Sequence, residues 1–184
     1  MITIMCDPFF TFLQSLPHRE LDFGAQEMIV DIEAPVAQLF VIKRGQVHLL
    51  RYQKNGDPVV LQRAGAGEIL AEASVFSTRY HCAAIAVSES QLLAYSMKEV
   101  RTLLAETPEA ALAYARHLAN EVREARKRSE ILALKTVSER LSAWLTWNHG
   151  LLPERGAWHL VANEIGISKE ALYRELSIRR QQKE

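Results

Sequence analysis

Ser168, Lys169, Glu170, Tyr173 and Arg174 crowd into a short stretch near the end of the chain. At helical spacing the last four point outward, while Ala171, Leu172 and Leu176 point inward. Such a face can read the edges of a duplex. Arg or Lys donates to guanine O6 and N7, and Glu accepts from cytosine N4. To do so, the face must be presented by a tight turn between two short helices. Trp158–Ile165 reads as the first helix, Gly166 as its break, and Ser168 as the cap of a second helix over Lys169–Leu176. Ala162, four residues before the glycine, lets the helices cross closely, and Gly166 supplies the positive φ of the turn. The expectation is a helix-turn-helix whose second helix enters a major groove.

The second reactive pair is His81-Cys82. Haem ligation, thiol redox sensing, and a packed cysteine beside a surface or hydrogen-bonded histidine all fit it. His117 is either a second ligand or a structural histidine. Cys6 and Cys82 are the only cysteines, too few for a disulfide framework or an all-cysteine iron–sulfur cluster. Gly65-Ala66-Gly67-Glu68 lacks a third glycine and a following helix, so it reads as a turn and not a phosphate loop. His48 has no histidine two residues away, so no metal centre of the cupin kind is expected. No Ser–His–Asp or Cys–His arrangement is placed by the sequence, and the chain reads as a non-enzyme.

The formal net charge over 184 residues is zero, so an affinity for nucleic acid must come from local asymmetry. Arg123, Arg126, Lys127, Arg128 and Lys135, then Arg174, Arg179, Arg180 and Lys183, supply it in the C-terminal third. Alone, either cluster reads as a solvated helix face. No apolar run could span a bilayer, and Met1–Phe10 lacks the basic flank of a signal peptide, so the reading is cytoplasmic with no membrane partner.

The elements that position these groups follow from periodicity. A short apolar helix is expected over residues 8–16, stopped by Pro17. Strands are expected at 28–32, 39–42, 47–52, 59–61, 83–87 and 92–95, with Asn55-Gly56 as a hairpin turn. Short strands at near-regular spacing predict an antiparallel roll. Ser96 with Glu99, and Thr136 with Glu139, read as capping boxes. Thr107-Pro108 begins a long helix on which Ala111, Ala115, Leu118, Val122, Ala125, Ser129 and Leu132 alternate at four and three. That seam predicts a homodimer; the alternative is packing on the chain's own β-domain. A break near 134–136 predicts a hinge, followed by a helix to about Asn148 closed by Gly150. The division is residues 1–107, 108–135 and 136–184.

This order, with the wording of two segments, resembles the Crp/Fnr family of bacterial transcription regulators. Leu39-Phe40-Val41-Ile42-Lys43-Arg44-Gly45-Gln46-Val47 and Ala66-Gly67-Glu68-Ile69-Leu70-Ala71-Glu72-Ala73-Ser74-Val75-Phe76 look like its early strands and ligand cassette. Gly166–Leu176 looks like its recognition helix. The resemblance implies an α+β protein: a jelly-roll-like sensing domain, a dimerisation helix and a helix-turn-helix. It implies that Ser168 touches a phosphate while Lys169, Glu170 and Arg174 read bases of an inverted repeat in double-stranded DNA. RNA polymerase is a further candidate partner. It places an effector pocket around Glu68, Leu70, Glu72, Arg79, Tyr80, His81, Cys82 and His117. Cyclic-nucleotide-binding members carry an arginine beside Ser or Thr where this chain has Tyr80-His81-Cys82. Arg79 could substitute with a register shift, Glu72 is kept, and Ala71 replaces a glycine. An unpaired phosphate binds poorly, which counts against a cyclic nucleotide; haem stays open and the effector is unknown. Members also continue into a β-wing, whereas this sequence stops at Glu184, so a helix-turn-helix without a full wing is expected, its basic tail replacing wing contacts. That feature and the neutral charge support a rival: a dimeric effector-binding module with a degenerate helix-turn-helix, acting through protein partners.

Overall fold

The structure is a computed structural model that describes residues 7–181. Cys6, Lys183 and most of the Met1–Phe10 stretch lie outside the described residues. The chain divides into two compact units that meet between Ala119 and Asn120, inside one long helix.

The first unit is an antiparallel roll of two four-stranded sheets. One holds, in order, β1 (His18–Phe23), β8 (Ser90–Ser96), β3 (Gln38–Arg44) and β6 (Ile69–Leu70). The other holds β2 (Met28–Val30), β7 (Ala83–Ala86), β4 (Val47–Tyr52) and β5 (Pro58–Ala64). β3 shows why the run Leu39–Ile42 does not alternate. Phe40 and Ile42 pack with Val47, Ala64 and Leu92 between the sheets. Leu39 and Val41 instead meet Phe9 and Leu13 of α1 (Pro8–Leu13), Val100 and Leu104 of α2 (Met97–Glu106), and Tyr114 of α3 (Pro108–Ala133). A strand buried on both faces has no position for a polar alternate.

Three expectations change here. α1 stops at Leu13, short of residue 16. β1 was not expected, because His18-Arg19-Glu20 is polar and exposed, as suits an edge strand. Ser96 does sit at the N-cap of α2, but its side chain makes no capping hydrogen bond, so that box is not formed.

The second unit is helical. Ile131 of α3 packs with Leu141 and Trp144 of α4 (Val137–Trp147), Trp158 and Val161 of α5 (Trp158–Glu164), and Leu172 and Leu176 of α6 (Lys169–Gln181). The chain breaks after Ala133 as expected, and Thr136 and Glu139 close their capping box reciprocally. α6 runs on to Gln181, beyond the expected Leu176.

Arg140 organises this unit. Its guanidinium donates to the carbonyls of Leu132 (3.1 Å) and Leu134 (2.9 Å) at the end of α3. It also donates to Ile165 (3.2 Å) and Gly166 (3.1 Å) in the turn before α6. Helix-end carbonyls have no partner within their own helix, and a planar fork of N–H groups can serve several at once.

Two predictions follow from these contacts. At Gly45, φ is +94° and an added Cβ would lie 2.6 Å from the Glu89 carbonyl oxygen and 2.7 Å from Ser90 Cα. Gly45→Ala should therefore cost the roll about 3 kcal/mol in urea unfolding followed by circular dichroism; a loss below about 1 kcal/mol would contradict this crowding. All three tryptophans lie in the helical unit, so their fluorescence reports its unfolding. Arg140→Lys should destabilise that unit by about 2 kcal/mol, because an ammonium cannot serve both pairs of carbonyls; wild-type stability would refute the role given to the fork.

Candidate nucleic-acid interface and effector site

The turn before α6 is built as the residue types require. Ala162 is fully buried where the helices cross, and the Ile167 N–H donates to its carbonyl at 2.9 Å. Gly166 adopts φ +66°, and a Cβ there would meet Leu132 Cδ2 at 2.7 Å. Ser168 Oγ accepts from the Ala171 N–H at 3.2 Å, so Ser168 is the cap. Glu170's own backbone N–H and the Ser168 hydroxyl donate to its carboxylate, and Lys169 and Arg174 lie close by. Together they hold the carboxyl below its usual range, which leaves Glu170 an acceptor at neutral pH. Leu172 and Leu176 are buried, whereas Lys169, Glu170, Tyr173 and Arg174 are exposed.

Tyr173 does not stand free. Its ring lies 5.2 Å from that of Trp158, and the Arg155 guanidinium sits 6.0 Å from the Tyr173 ring and 5.8 Å from the Trp158 ring. Arg180 covers Trp158 at 5.7 Å. Trp158 is anchored by its indole N–H, which donates to the Pro153 carbonyl at 3.0 Å. Arg179 faces the other way and is occupied. It donates to Glu175 (2.8 Å), to the Ser138 carbonyl (2.7 Å) and to the Ser142 hydroxyl (2.8 Å). Of the two tail arginines within the described residues, Arg179 holds the fold and Arg180 is available at the surface.

The expected seam residues on α3 do not share one environment. Ala115, Val122, Ala125, Ser129 and Leu132 are exposed, while Ala111 is half-buried and Leu118 packs on the roll's core. Leu132 also abuts Gly166. Leu112 (53 % exposed) and Ala119 join the exposed line, which runs Leu112, Ala115, Ala119, Val122 at spacings of three and four.

In the roll, only part of the expected effector set converges. Leu70 and Tyr80 are core residues, and the Tyr80 hydroxyl donates to the Gln38 carbonyl at 2.7 Å. Glu68 is exposed, its carboxylate closing the turn at Gly65, and Arg79 donates to the Glu33 carbonyl at 2.6 Å. Glu72, His81 and Cys82 do come together. Ala71 enters the cassette at φ +68°, a conformation suited to the glycine it replaces. Glu72 and Ser74 are buried behind it, and Ser74 Oγ pairs with His81 Nδ1 at 3.1 Å. The Tyr114 hydroxyl of α3 donates to the Glu72 carbonyl at 2.9 Å; burial, then the Glu72 charge, pushes its pKa up to about 12.

Cys82 is a buried free thiol beside an exposed, hydrogen-bonded His81, so the packed-cysteine reading describes the geometry. Burial pushes the thiol's pKa up, opposed by the charge of Arg51, which keeps the reactive thiolate scarce. Arg51 had no signal in the sequence. It comes from β4, donates to the His81 carbonyl at 3.0 Å and hydrogen-bonds Cys82, so its cation lies beside the cassette. His117 is held elsewhere: Nδ1 pairs with Asp7 at 2.5 Å and Nε2 is buried without a hydrogen-bond partner among the described residues.

Comparison with known proteins places this architecture. Residues 20–107 match the cyclic nucleotide-binding domain family. No curated protein matches the chain in sequence. Among solved structures, FixK2 from Bradyrhizobium japonicum matches with a TM-score of 0.72 at 18 % identity, over 91 % of this chain and 86 % of that one. CLP of Xanthomonas campestris, described as a c-di-GMP responsive global regulator, gives 0.65 at 16 % identity, over 95 % of this chain and 91 % of that one. Catabolite Activator Protein of Thermus thermophilus gives 0.54 at 22 % identity, over 98 % and 86 %. These neighbours are transcriptional regulators, a family without enzymatic activity. The roll thus resembles a cyclic nucleotide-binding domain, and the chain has the fold of the Crp/Fnr transcriptional regulators.

Proposed function

We propose that this chain is a homodimeric transcriptional regulator that binds an inverted repeat in double-stranded DNA and is controlled by a small effector in the roll. The outward face of α6 carries the reading. Lys169, Glu170 and Arg174 offer donors and an acceptor to base edges, on a helix whose inner face is sealed by Leu172 and Leu176. The Ser168 hydroxyl caps α6 and donates to Glu170, so a phosphate contact from it requires that proton to turn from Glu170 to the phosphate.

Dimerisation is supported by the apolar line Leu112, Ala115, Ala119 and Val122 on α3, which stays exposed among the described residues. The effector reading rests on the cassette. Arg51 supplies from β4 a cation that the Tyr80-His81-Cys82 stretch does not, and Glu72 lies beside it. An anionic effector with a hydroxyl or amine donor fits that pair. It would act through Tyr114, which ties the cassette to α3, biasing the break before Thr136. RNA polymerase enters only through the family resemblance.

The rival, a module that acts through protein partners alone, predicts no phosphate contacts. Fluorescence anisotropy with labelled duplexes separates the two. The regulator should lose affinity steeply between about 50 and 200 mM salt, as released counterions require; a flat response would favour the rival. Once a cognate duplex is in hand, Arg174→Ala should weaken it by about 1–3 kcal/mol and relax the preference at one base pair per half-site. An unchanged preference would remove Arg174 from base reading.

A further inference from the structure

The exposed face of α6 has two edges. With residues about 100° apart around the helix, Lys169, Tyr173 and Arg180 fall along one edge, and Glu170 and Arg174 along the other. The second edge carries two of the three base-reading residues of the function proposed above; Lys169, the third, begins the first edge. The first carries a different kind of structure: Trp158 is 7 % exposed, and Arg155, Tyr173 and Arg180 are arranged around its ring.

Three observations show that this cluster does more than fill space. Arg155 and Arg180 are exposed, and neither has a carboxylate partner among the described residues, unlike Arg179. Each is held over an aromatic face, which orders a flexible cation while leaving its edge N–H groups free to donate. The two come from different elements, Arg155 from the short 3-10 turn Arg155–Ala157 and Arg180 from the last turn of α6. Tyr173 to Arg180 alone covers about 10 Å of helix axis, long enough for neighbouring phosphates of one strand.

We infer that Arg155, Tyr173 and Arg180 form a rail for the DNA sugar-phosphate backbone, buttressed by Trp158, that sets the register of α6 without reading bases. This rests on the DNA-binding reading above and adds residues that it does not use. The guanidinium edges donate to phosphate oxygens, and the Tyr173 hydroxyl donates between them. Register comes from the rail and sequence from Lys169, Glu170 and Arg174.

The test uses the full chain with cognate and scrambled duplexes across a salt series. Arg155→Gln and Arg180→Gln should each lower the slope of log affinity against log salt by about one and weaken both duplexes alike, by about five- to tenfold near 0.1 M salt. Arg155→Lys, which keeps the charge, should restore the slope. Both arginines are exposed, and tryptophan fluorescence verifies that each variant is folded. Wild-type slopes in both glutamine variants, or a loss confined to one base position, would overturn the rail. Absence of salt-dependent binding by the unmodified chain would instead overturn the DNA-binding reading itself.

Discussion

The helical unit depends on a single guanidinium. Arg140 gathers carbonyl oxygens from the end of α3 and from the turn before α6, at 2.9–3.2 Å. Both places are where a chain leaves helical geometry and exposes acceptors that the helix no longer satisfies. One side chain with several donors in a plane can bind the two together, where a lysine or a water could not hold both with the same geometry. Gly166 then has little freedom: its Cα is pressed toward Leu132 and its carbonyl is held by Arg140. The direction of α6, and so the presentation of Glu170 and Arg174, follows from that arrangement.

The roll has a corresponding tie at the cassette. Tyr114 is buried and donates to the Glu72 carbonyl, and its raised pKa of about 12 keeps that proton in place across the physiological range. Tyr114 and Leu132 belong to the same 26-residue helix. In the function proposed above, this shared helix is the element through which the cassette acts on the end that Arg140 grips. Arg51 makes the cassette electrostatically different from what its local sequence suggests. The cation comes from a neighbouring strand, and β4–β7 pairing, with Leu50 opposite Ala83, brings it there.

What was legible in the sequence was local chemistry with a fixed offset. Val47–Tyr52, the Thr136–Glu139 box, the break after Ala133 and the Gly166 turn were all visible because their signals lie within a few residues. Less visible were features decided by tertiary contact. β1 is a polar edge strand whose only evidence is its pairing with β8. Ser96 has the residue types of a capping box, yet its side chain does not close one. On α3, heptad spacing could not say that Leu118 turns to the roll while Leu112 stays exposed. Arg51, Arg140 and Arg155 each had no sequence signal, because an isolated arginine looks alike whether it is solvated, bridging carbonyls or stacked on an indole.

The most direct test of the central claim is selection of bound fragments from genomic DNA by the purified full chain, at low and then moderate salt. A sequence-reading dimer should enrich an inverted repeat whose half-sites lie about one helical turn apart, roughly 10–10.5 base pairs centre to centre. Enrichment of no sequence at either salt, with fragments retained only in proportion to their length, would contradict a sequence-reading dimer.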